Sequence, residues 1–204
     1  MVKRKKSYIK KINQLDTLSV HAGVKTDPLT GAVMTPIYAT STYAHDRPGE
    51  HKGYEYSRSQ NPTREVLENS IAELESGYKA FAFASGVAAQ TAVLDLLKPG
   101  DHVIAFDDLY GGTFRLFNEI KSKSSNIEFT FVDLNTNFSK EIKKNTKMIW
   151  IETPTNPLLK ITDLKRIARI ARKNKLITVC DNTFATPYNQ RPLEHGLDIV
   201  NHST

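Results

Sequence analysis

The sequence predicts an α/β protein whose mostly parallel sheet is covered by helices on both faces. Short apolar runs typical of buried strands recur in the second half of the chain, and segments with helical spacing lie between them. Gly, Pro, Asn and Asp residues bound most of these segments, as expected for turns. Alternating strands and helices indicate βαβ units, in which functional loops follow the carboxyl ends of the strands.

The first predicted helix begins near Pro62, because proline suits the first helical position, and Gly77 ends it. Next we expect a strand at Phe81–Ala84, a tight turn at Ser85-Gly86 and a helix at Val87–Leu97. The later predicted elements alternate in the same way: strand His102–Phe106, a helix around Thr113–Ile120, strands Glu128–Val132 and Met148–Glu152, a helix from Thr162, and strands Leu176–Cys180 and Asp198–Asn201.

Residues 1–60 show little periodicity and contain many turn-forming pairs, among them Asp27-Pro28 and Pro48-Gly49. We therefore expect an extended arm over residues 1–60 and a large domain over residues 61–204. Most of the net charge of +6 comes from one basic segment near the N-terminus. Because no basic face with interleaved aromatic residues accompanies it, we expect a solvated or partner-contacting tail and no nucleic-acid binding.

Neither a membrane-spanning segment nor a secretory signal is predicted, because no long uncharged apolar run is present. Cys180 is the single cysteine, which excludes an internal disulfide and fits a reducing compartment. Its apolar surroundings predict a small buried core residue. The expected location is the cytoplasm.

Two patterns suggest a binding site for a ligand that has an anionic phosphate at one end and a positively charged ring at the other. Ser85-Gly86 opens a helix, where free amides favour a phosphate, although the pattern also fits an ordinary tight turn. Asp181 follows a buried-looking apolar run, and a carboxylate at that depth needs a cationic or hydrogen-bonding partner unless it is simply a cap or turn residue. A full Gly-x-Gly-x-x-Gly pattern is absent, which argues against a nucleotide-binding dehydrogenase.

Other candidate ligand-binding residues lie in two further loops. The guanidinium of Arg58 and the phenol of Tyr56 could contact a phosphate, although an arginine is more often a surface residue. Tyr110 follows a predicted strand and could stack on a flat ring, or could be an ordinary loop aromatic.

Taken together, these residues resemble the Cys/Met-metabolism family of enzymes that depend on pyridoxal phosphate (PLP). The similarity covers nearly the whole chain and includes six motifs in order. They are Tyr56-Ser57-Arg58 with Asn61-Pro62-Thr63-Arg64, Phe83-Ala84-Ser85-Gly86, Asp107-Asp108-Leu109-Tyr110-Gly111-Gly112-Thr113, Glu152-Thr153-Pro154-Thr155-Asn156-Pro157, Asp181-Asn182-Thr183, and His202-Ser203-Thr204.

The resemblance implies the aminotransferase-type (fold type I) large domain with PLP as cofactor and no metal. It also implies catalytic roles for two residues, Tyr110 as a proton carrier and Asp181 as the partner of the ring nitrogen. The residues it implies to bind the cofactor are Tyr56, Arg58, Ser85, Gly86, Val87, Tyr110, Asn156, Asp181, Thr183 and Ser203. Glu55 and Asn156 are implied to contact the substrate.

In this family the arm residues Tyr56 and Arg58 reach into the neighbouring subunit's site, so the resemblance implies a homodimer or homotetramer. It implies a sulfur amino acid as the small-molecule substrate. The family's cofactor-bonding lysine lies two residues beyond the position of Thr204, so we expect the chain to be part of a longer polypeptide, or else a catalytically silent remnant.

Glu55 before Tyr56 resembles cystathionine gamma-lyases and some gamma-synthases, and of these we favour the lyase. Gly112 argues against methionine gamma-lyase, which typically has cysteine there. Cystathionine gamma-synthase and cystathionine beta-lyase are the alternatives within the family. A non-enzymatic binding fragment is the remote alternative outside it.

Overall fold

A computed structural model describes residues 15–204. The basic segment for which we predicted a solvated tail, from Lys3 to Lys11, lies outside the described residues. The chain divides into two compact units, one extending to Ala82 and the other running from Phe83 to Thr204. The arm and large-domain boundary at residue 60 stays a prediction.

The first unit contains two helices and a short antiparallel hairpin. These are helices α1 (Leu15–His21) and α2 (Pro62–Leu74) and strands β1 (His45–Arg47) and β2 (Glu50–His51). The side chain of Asn61 caps α2, since its Oδ1 accepts the amides of Thr63 (2.9 Å) and Arg64 (3.4 Å). Gly23 follows α1 at a φ of +71°, and an added Cβ would lie 2.6 Å from Val66 O, so only glycine permits this approach to α2.

The second unit is built around a five-stranded parallel sheet in the order β4-β3-β5-β6-β7. Its strands are β3 (His102–Phe106), β4 (Glu128–Val132), β5 (Thr146–Glu152), β6 (Ile177–Asp181) and β7 (Ile199–Asn201). Its helices are α3 (Gly86–Leu94), α4 (Gly111–Arg115), the π-helical segment Leu116–Lys121, α5 (Ser122–Ser124), α6 (Leu164–Asn174) and α7 (Thr186–Asn189), with 3₁₀ turns at Phe138–Glu141 and Pro192–His195.

Most residues of the central strands are buried, as expected where helices cover both faces of a parallel sheet. All five residues of β3 are buried. Phe117 is also fully buried, and its ring lies 4.9 Å from the ring of Phe129 and 5.1 Å from that of Trp150, measured between ring centroids. These rings join the π-helical segment to β4 and β5.

Helix α6 shows how local chemistry sets a helix end. Asp163 is the N-cap, and its Oδ1 accepts the amide of Arg166 at 3.0 Å. The helix therefore starts at Leu164, two residues after the start predicted at Thr162. Its apolar face packs against the sheet through buried residues at helical spacing, namely Leu164, Ile167, Ala168 and Ala171.

The predicted α/β class and parallel sheet are confirmed, and strands His102–Phe106 and Glu128–Val132 have the predicted bounds. The strand predicted at Phe81–Ala84 is wrong. These residues form no ladder with any described strand, and Phe81 and Phe83 are 65% and 48% exposed. An apolar run becomes a strand only when a neighbouring strand accepts and donates its hydrogen bonds.

Within residues 15–204, no helix has both the length and the apolar character required to cross a bilayer. The same residues contain no group of three or more acidic, histidine or cysteine side chains placed to hold a metal ion.

We expect Phe117→Ala to lower the free energy of unfolding by about 3–5 kcal/mol, because it empties a fully enclosed ring site. Ile120→Ala is the matched control on the same segment, since Ile120 is 53% exposed, and should cost less than about 1 kcal/mol. Urea denaturation of the intact protein measures both. Equal losses for the two variants would contradict this account of the core.

Candidate active site

Three polar residues lie in one row at the carboxyl ends of neighbouring strands. Glu152 ends β5, Asp181 ends β6 and Asn201 ends β7, and the strand register pairs Glu152 with Asp181 and Asp181 with Asn201. All three side chains are buried. In open parallel sheets, ligands bind beyond this edge, so the row marks the floor of a candidate site.

Asp181 is the central residue of the row and is 7% exposed. Its Oδ2 accepts the side-chain amides of Gln90 (3.2 Å) and Asn201 (3.1 Å), and its Oδ1 accepts the backbone amide of Thr183 (3.0 Å). All of these donors are neutral. Among the described residues, no lysine, arginine or histidine forms an ion pair with this carboxylate.

Gln90 extends this network toward another loop. It is 2% exposed on α3, and its Oε1 accepts the hydroxyl of Thr113 at 3.0 Å. Its amide nitrogen is therefore directed toward Asp181, since the oxygen is already used. The side-chain oxygen Oδ1 of Asn201, by contrast, is buried and has no partner among the described residues. The floor of the candidate site thus has, among the described residues, one hydrogen-bond acceptor that receives no donor.

The start of α3 lies beside the last residues of the chain. Ser85 is the N-cap, and its hydroxyl accepts the amide of Ala88 at 3.1 Å. Within the described residues, the amides of Gly86 and Val87 have no acceptor. A Cβ added at Gly86 would lie 2.7 Å from the Cβ of Ser203, so this close approach requires glycine.

Tyr110 stands at the mouth of the site with its side chain 48% exposed. It is the N-cap of α4 and makes no side-chain capping bond. A Cβ added at Gly112 would lie 2.4 Å from the Cε1 of Tyr110, whereas one added at Gly111 would lie 3.7 Å from its nearest neighbour, on Arg115. Gly112 therefore leaves the space that the Tyr110 ring occupies.

Glu152 accepts two backbone amides from different loops. Its Oε1 accepts the amide of Asn156 at 2.8 Å, and its Oε2 accepts that of Tyr110 at 3.0 Å. Burial, together with the nearby carboxylates of Asp181 and Asp108, raises the pKa of Glu152 to about 7, although the two amides act in the opposite direction. Glu152 therefore changes charge near neutral pH.

The model of the family described as Cys/Met metabolism PLP-dependent enzymes matches residues 16–204. The chain belongs to this family. PLP is the family's cofactor.

The chain resembles several curated members of the Cys/Met-metabolism family. It is 56% identical to a cystathionine beta-lyase of Coxiella burnetii, over 95% of this chain and 50% of that protein. It is 53% identical to a cystathionine gamma-lyase of Bacillus subtilis, over 92% of this chain and 50% of that protein. The chain thus spans about half the length of these relatives.

Solved structures of the family agree with the fold. A crystal structure of metB from Corynebacterium glutamicum superposes with a TM-score of 0.91 and 43% identity, over 94% of this chain and 51% of that one. A structure of cystathionine gamma-lyase from Lactobacillus plantarum with L-serine gives a TM-score of 0.89 and 46% identity, over 93% and 50%.

The second unit fits PLP in three respects. Asp181 is a buried carboxylate that has only neutral donors, which suits a protonated ring nitrogen. The amides of Gly86 and Val87 are free at a helix start, which suits a phosphate. The orphaned oxygen of Asn201 shows that the site can still accept a hydrogen bond.

The structure brings together most of the residues predicted for the site. Gly86 lies against Ser203, whose amide donates to Thr183 Oγ1 at 3.0 Å, and Thr183 donates its own amide to Asp181. Ser85 and Val87 flank Gly86 in α3. Tyr110 and Asn156 are joined through Glu152.

The remaining predicted residues, Glu55, Tyr56 and Arg58, lie in the first unit. The Arg58 guanidinium lies 5.0 Å from the centroid of the Tyr56 ring. The loop is fixed by Arg64, which donates to the carbonyl oxygens of Ser57 (3.0 Å) and Ser59 (2.8 Å). Glu55 is paired with His51 at 3.2 Å.

The sequence reasoning did not assign Gln90, Glu152 and Asn201 to the site. Gln90 carries the one side-chain amide in the helix Gly86–Leu94, and an amide in a mostly apolar helix could have signalled a buried partner. Glu152 and Asn201 follow apolar strand residues in the same way as Asp181. Their position, directly after an apolar strand run, could have assigned both residues to the site.

We expect Gly112→Ala to displace the Tyr110 ring, because the new methyl group would overlap it. Gly111→Ala is the matched control, since its methyl group meets only an ordinary contact. Crystal structures of the two variants of the intact protein test this directly. An unmoved Tyr110 ring in Gly112→Ala would show that the glycine does not govern the ring position.

Proposed function

We propose that the chain supplies the PLP-binding part of a carbon–sulfur lyase of sulfur amino-acid metabolism, with cystathionine as substrate. The observation that carries this proposal is the buried carboxylate of Asp181, which accepts only neutral donors; one of these, Gln90, lies one helical turn after the free amides at the start of α3. Together they offer a negative charge to a cationic ring and hydrogen-bond donors to an anionic phosphate.

The proposed contacts to PLP divide between its two ends. At the phosphate, Gly86 and Val87 donate their backbone amides and Ser203 donates its hydroxyl, while Ser85 keeps the helix start rigid. At the ring, Asp181 would hold the proton on the nitrogen, and Thr183, whose amide donates to Asp181, would lie near the ring. Bound in this way, PLP withdraws electrons from the substrate's α-carbon.

Tyr110 and Asn156 complete the proposed chemistry on the ring's exposed side. Tyr110 is half-exposed, so its phenol would be free to stack on the ring and to accept or return a proton at the substrate amine. Asn156 contacts the phenolic oxygen of the cofactor or the bound substrate. Both residues follow the carboxyl ends of adjacent strands, β3 and β5, which supports a common role.

The proposal includes an oligomer with shared active sites. Tyr56 and Arg58 would reach the phosphate of a neighbouring subunit, in a homodimer or homotetramer, and Glu55 would face the substrate there. The guanidinium of Arg58 is exposed and always charged, which suits it to a phosphate. We also assign the protein to the cytoplasm, which the single, buried Cys180 supports.

Cystathionine gamma-lyase is the activity we propose, supported by Glu55 before Tyr56 and by the 53% identical Bacillus subtilis relative. Cystathionine beta-lyase is the second candidate, because the Coxiella burnetii relative of that name is 56% identical. A probable cystathionine gamma-synthase of Herpetosiphon aurantiacus, 50% identical, favours the synthase as a third possibility.

We expect Asp181→Asn in the intact protein to abolish turnover and to weaken PLP retention, because the amide keeps the shape but removes the charge. Asp198→Asn is the matched control. Asp198 also accepts hydrogen bonds, from Thr178, but lies at the other end of the sheet. The visible absorbance of bound PLP and steady-state turnover are measured. Full activity in Asp181→Asn would reject the proposed role of the carboxylate.

The products of L-cystathionine cleavage distinguish the candidate activities. We expect the intact protein to release cysteine, 2-oxobutanoate and ammonia, as a gamma-lyase does. Homocysteine with pyruvate would identify a beta-lyase instead, and cystathionine formed from an acylated homoserine and cysteine would identify a synthase. Chromatography of the 2-oxo acids, the thiols and cystathionine itself reads out all three reactions.

A further inference from the structure

Glu152 connects two loops that follow different strands of the sheet. Tyr110 lies in the loop after β3, and Asn156 lies in the loop after β5. Both backbone amides donate to the same carboxylate, at 3.0 and 2.8 Å. This carboxylate is 5% exposed, so water competes little for its oxygens.

Glu152 holds the backbone amide of the residue at the start of α4. Tyr110 is the N-cap of α4, and its own side chain makes no capping bond. Asn156 is followed by Pro157, which has no amide, and the next amide of that loop, from Leu158, is held by Asp108 at 3.0 Å. Glu152 is the acceptor that holds the amides of both Tyr110 and Asn156.

We propose that Glu152 is a positioning residue whose carboxylate clamps the Tyr110 loop to the Asn156 loop and so sets the affinity of the site for its cofactor. This inference rests on the proposed function, because it assumes that Tyr110 and Asn156 contact PLP. Glu152 itself acts through these two residues.

The clamp depends on the charge of Glu152. A charged carboxylate offers four lone-pair sites, whereas a protonated one turns one oxygen into a donor. The charged groups that face Glu152 are Asp181 at the end of β6 and Asp108 in the loop after β3, and with burial they raise its pKa to about 7. The clamp is therefore closed above this pH and opens as the pH falls through it.

The test uses pyridoxine 5′-phosphate, which keeps the ring and the phosphate but has no aldehyde and cannot bond to a lysine. Its dissociation constant is measured by calorimetry on the intact, cofactor-free protein at pH 8.5 and pH 6. We expect Glu152→Gln to bind roughly tenfold more weakly than wild type at pH 8.5, because two hydrogen bonds lose a charged acceptor. At pH 6 the two proteins should bind alike.

Two variants complete the comparison. Glu152→Asp keeps the charge on a shorter side chain, so it should bind more weakly at both pH values and retain the pH dependence. Asp198→Asn is the matched control. Asp198 also accepts a backbone amide, that of Thr178 at 2.9 Å, but it lies at the other end of the sheet and touches neither clamped amide.

The outcomes separate the clamp from the proposed function. If wild type binds the probe and Glu152→Gln binds it equally well at pH 8.5, the clamp alone is overturned. The same holds if Glu152→Gln loses the same affinity at pH 8.5 and at pH 6. The same pH-dependent loss in Asp198→Asn would also overturn it, because a general loss of stability would then explain the effect. Failure of wild type to bind at either pH would overturn both the clamp and the proposed function.

Discussion

The site depends on one constraint, which is a negative charge held at the buried end of a central strand. Moving a carboxylate out of water costs several kcal/mol unless hydrogen bonds or an opposite charge offset it. Asp181 receives three neutral hydrogen bonds, which offset part of this cost. The donors come from α3, from β7 and from the turn after β6, so the charge fixes these three elements relative to one another.

Parallel topology explains how residues far apart in sequence reach one edge. Every strand of the sheet points the same way, so the loops after β3, β5, β6 and β7 all emerge on one side. Gly86 and Ser203 are separated by more than half the chain and still touch. A one-residue change of register in β6 would turn Asp181 to the other face and break the row with Glu152 and Asn201.

Much of the fold could be predicted because buried parallel strands read as continuous apolar runs. His102–Phe106 is such a run, and all of it is buried. The failed strand at Phe81–Ala84 has the same composition, but composition does not reveal whether a pairing partner exists. The site was partly predictable from the motifs around Gly86 and Asp181. Gln90, Glu152 and Asn201 escaped because their roles depend on strand register and on contacts between elements, which periodicity does not encode.

Glu152 and Asp181 form a pair of neighbouring carboxylates with different hydrogen-bond partners. Glu152 receives two backbone amides, Asp181 receives two side-chain amides and one backbone amide, and each charge raises the energy of the other. A cation placed against Asp181 would relieve this repulsion and favour the charged form of Glu152. If the clamp acts as proposed, the cofactor's ring cation would tighten the loops that hold the cofactor. By thermodynamic linkage, closing those loops must strengthen ring binding by the same free energy.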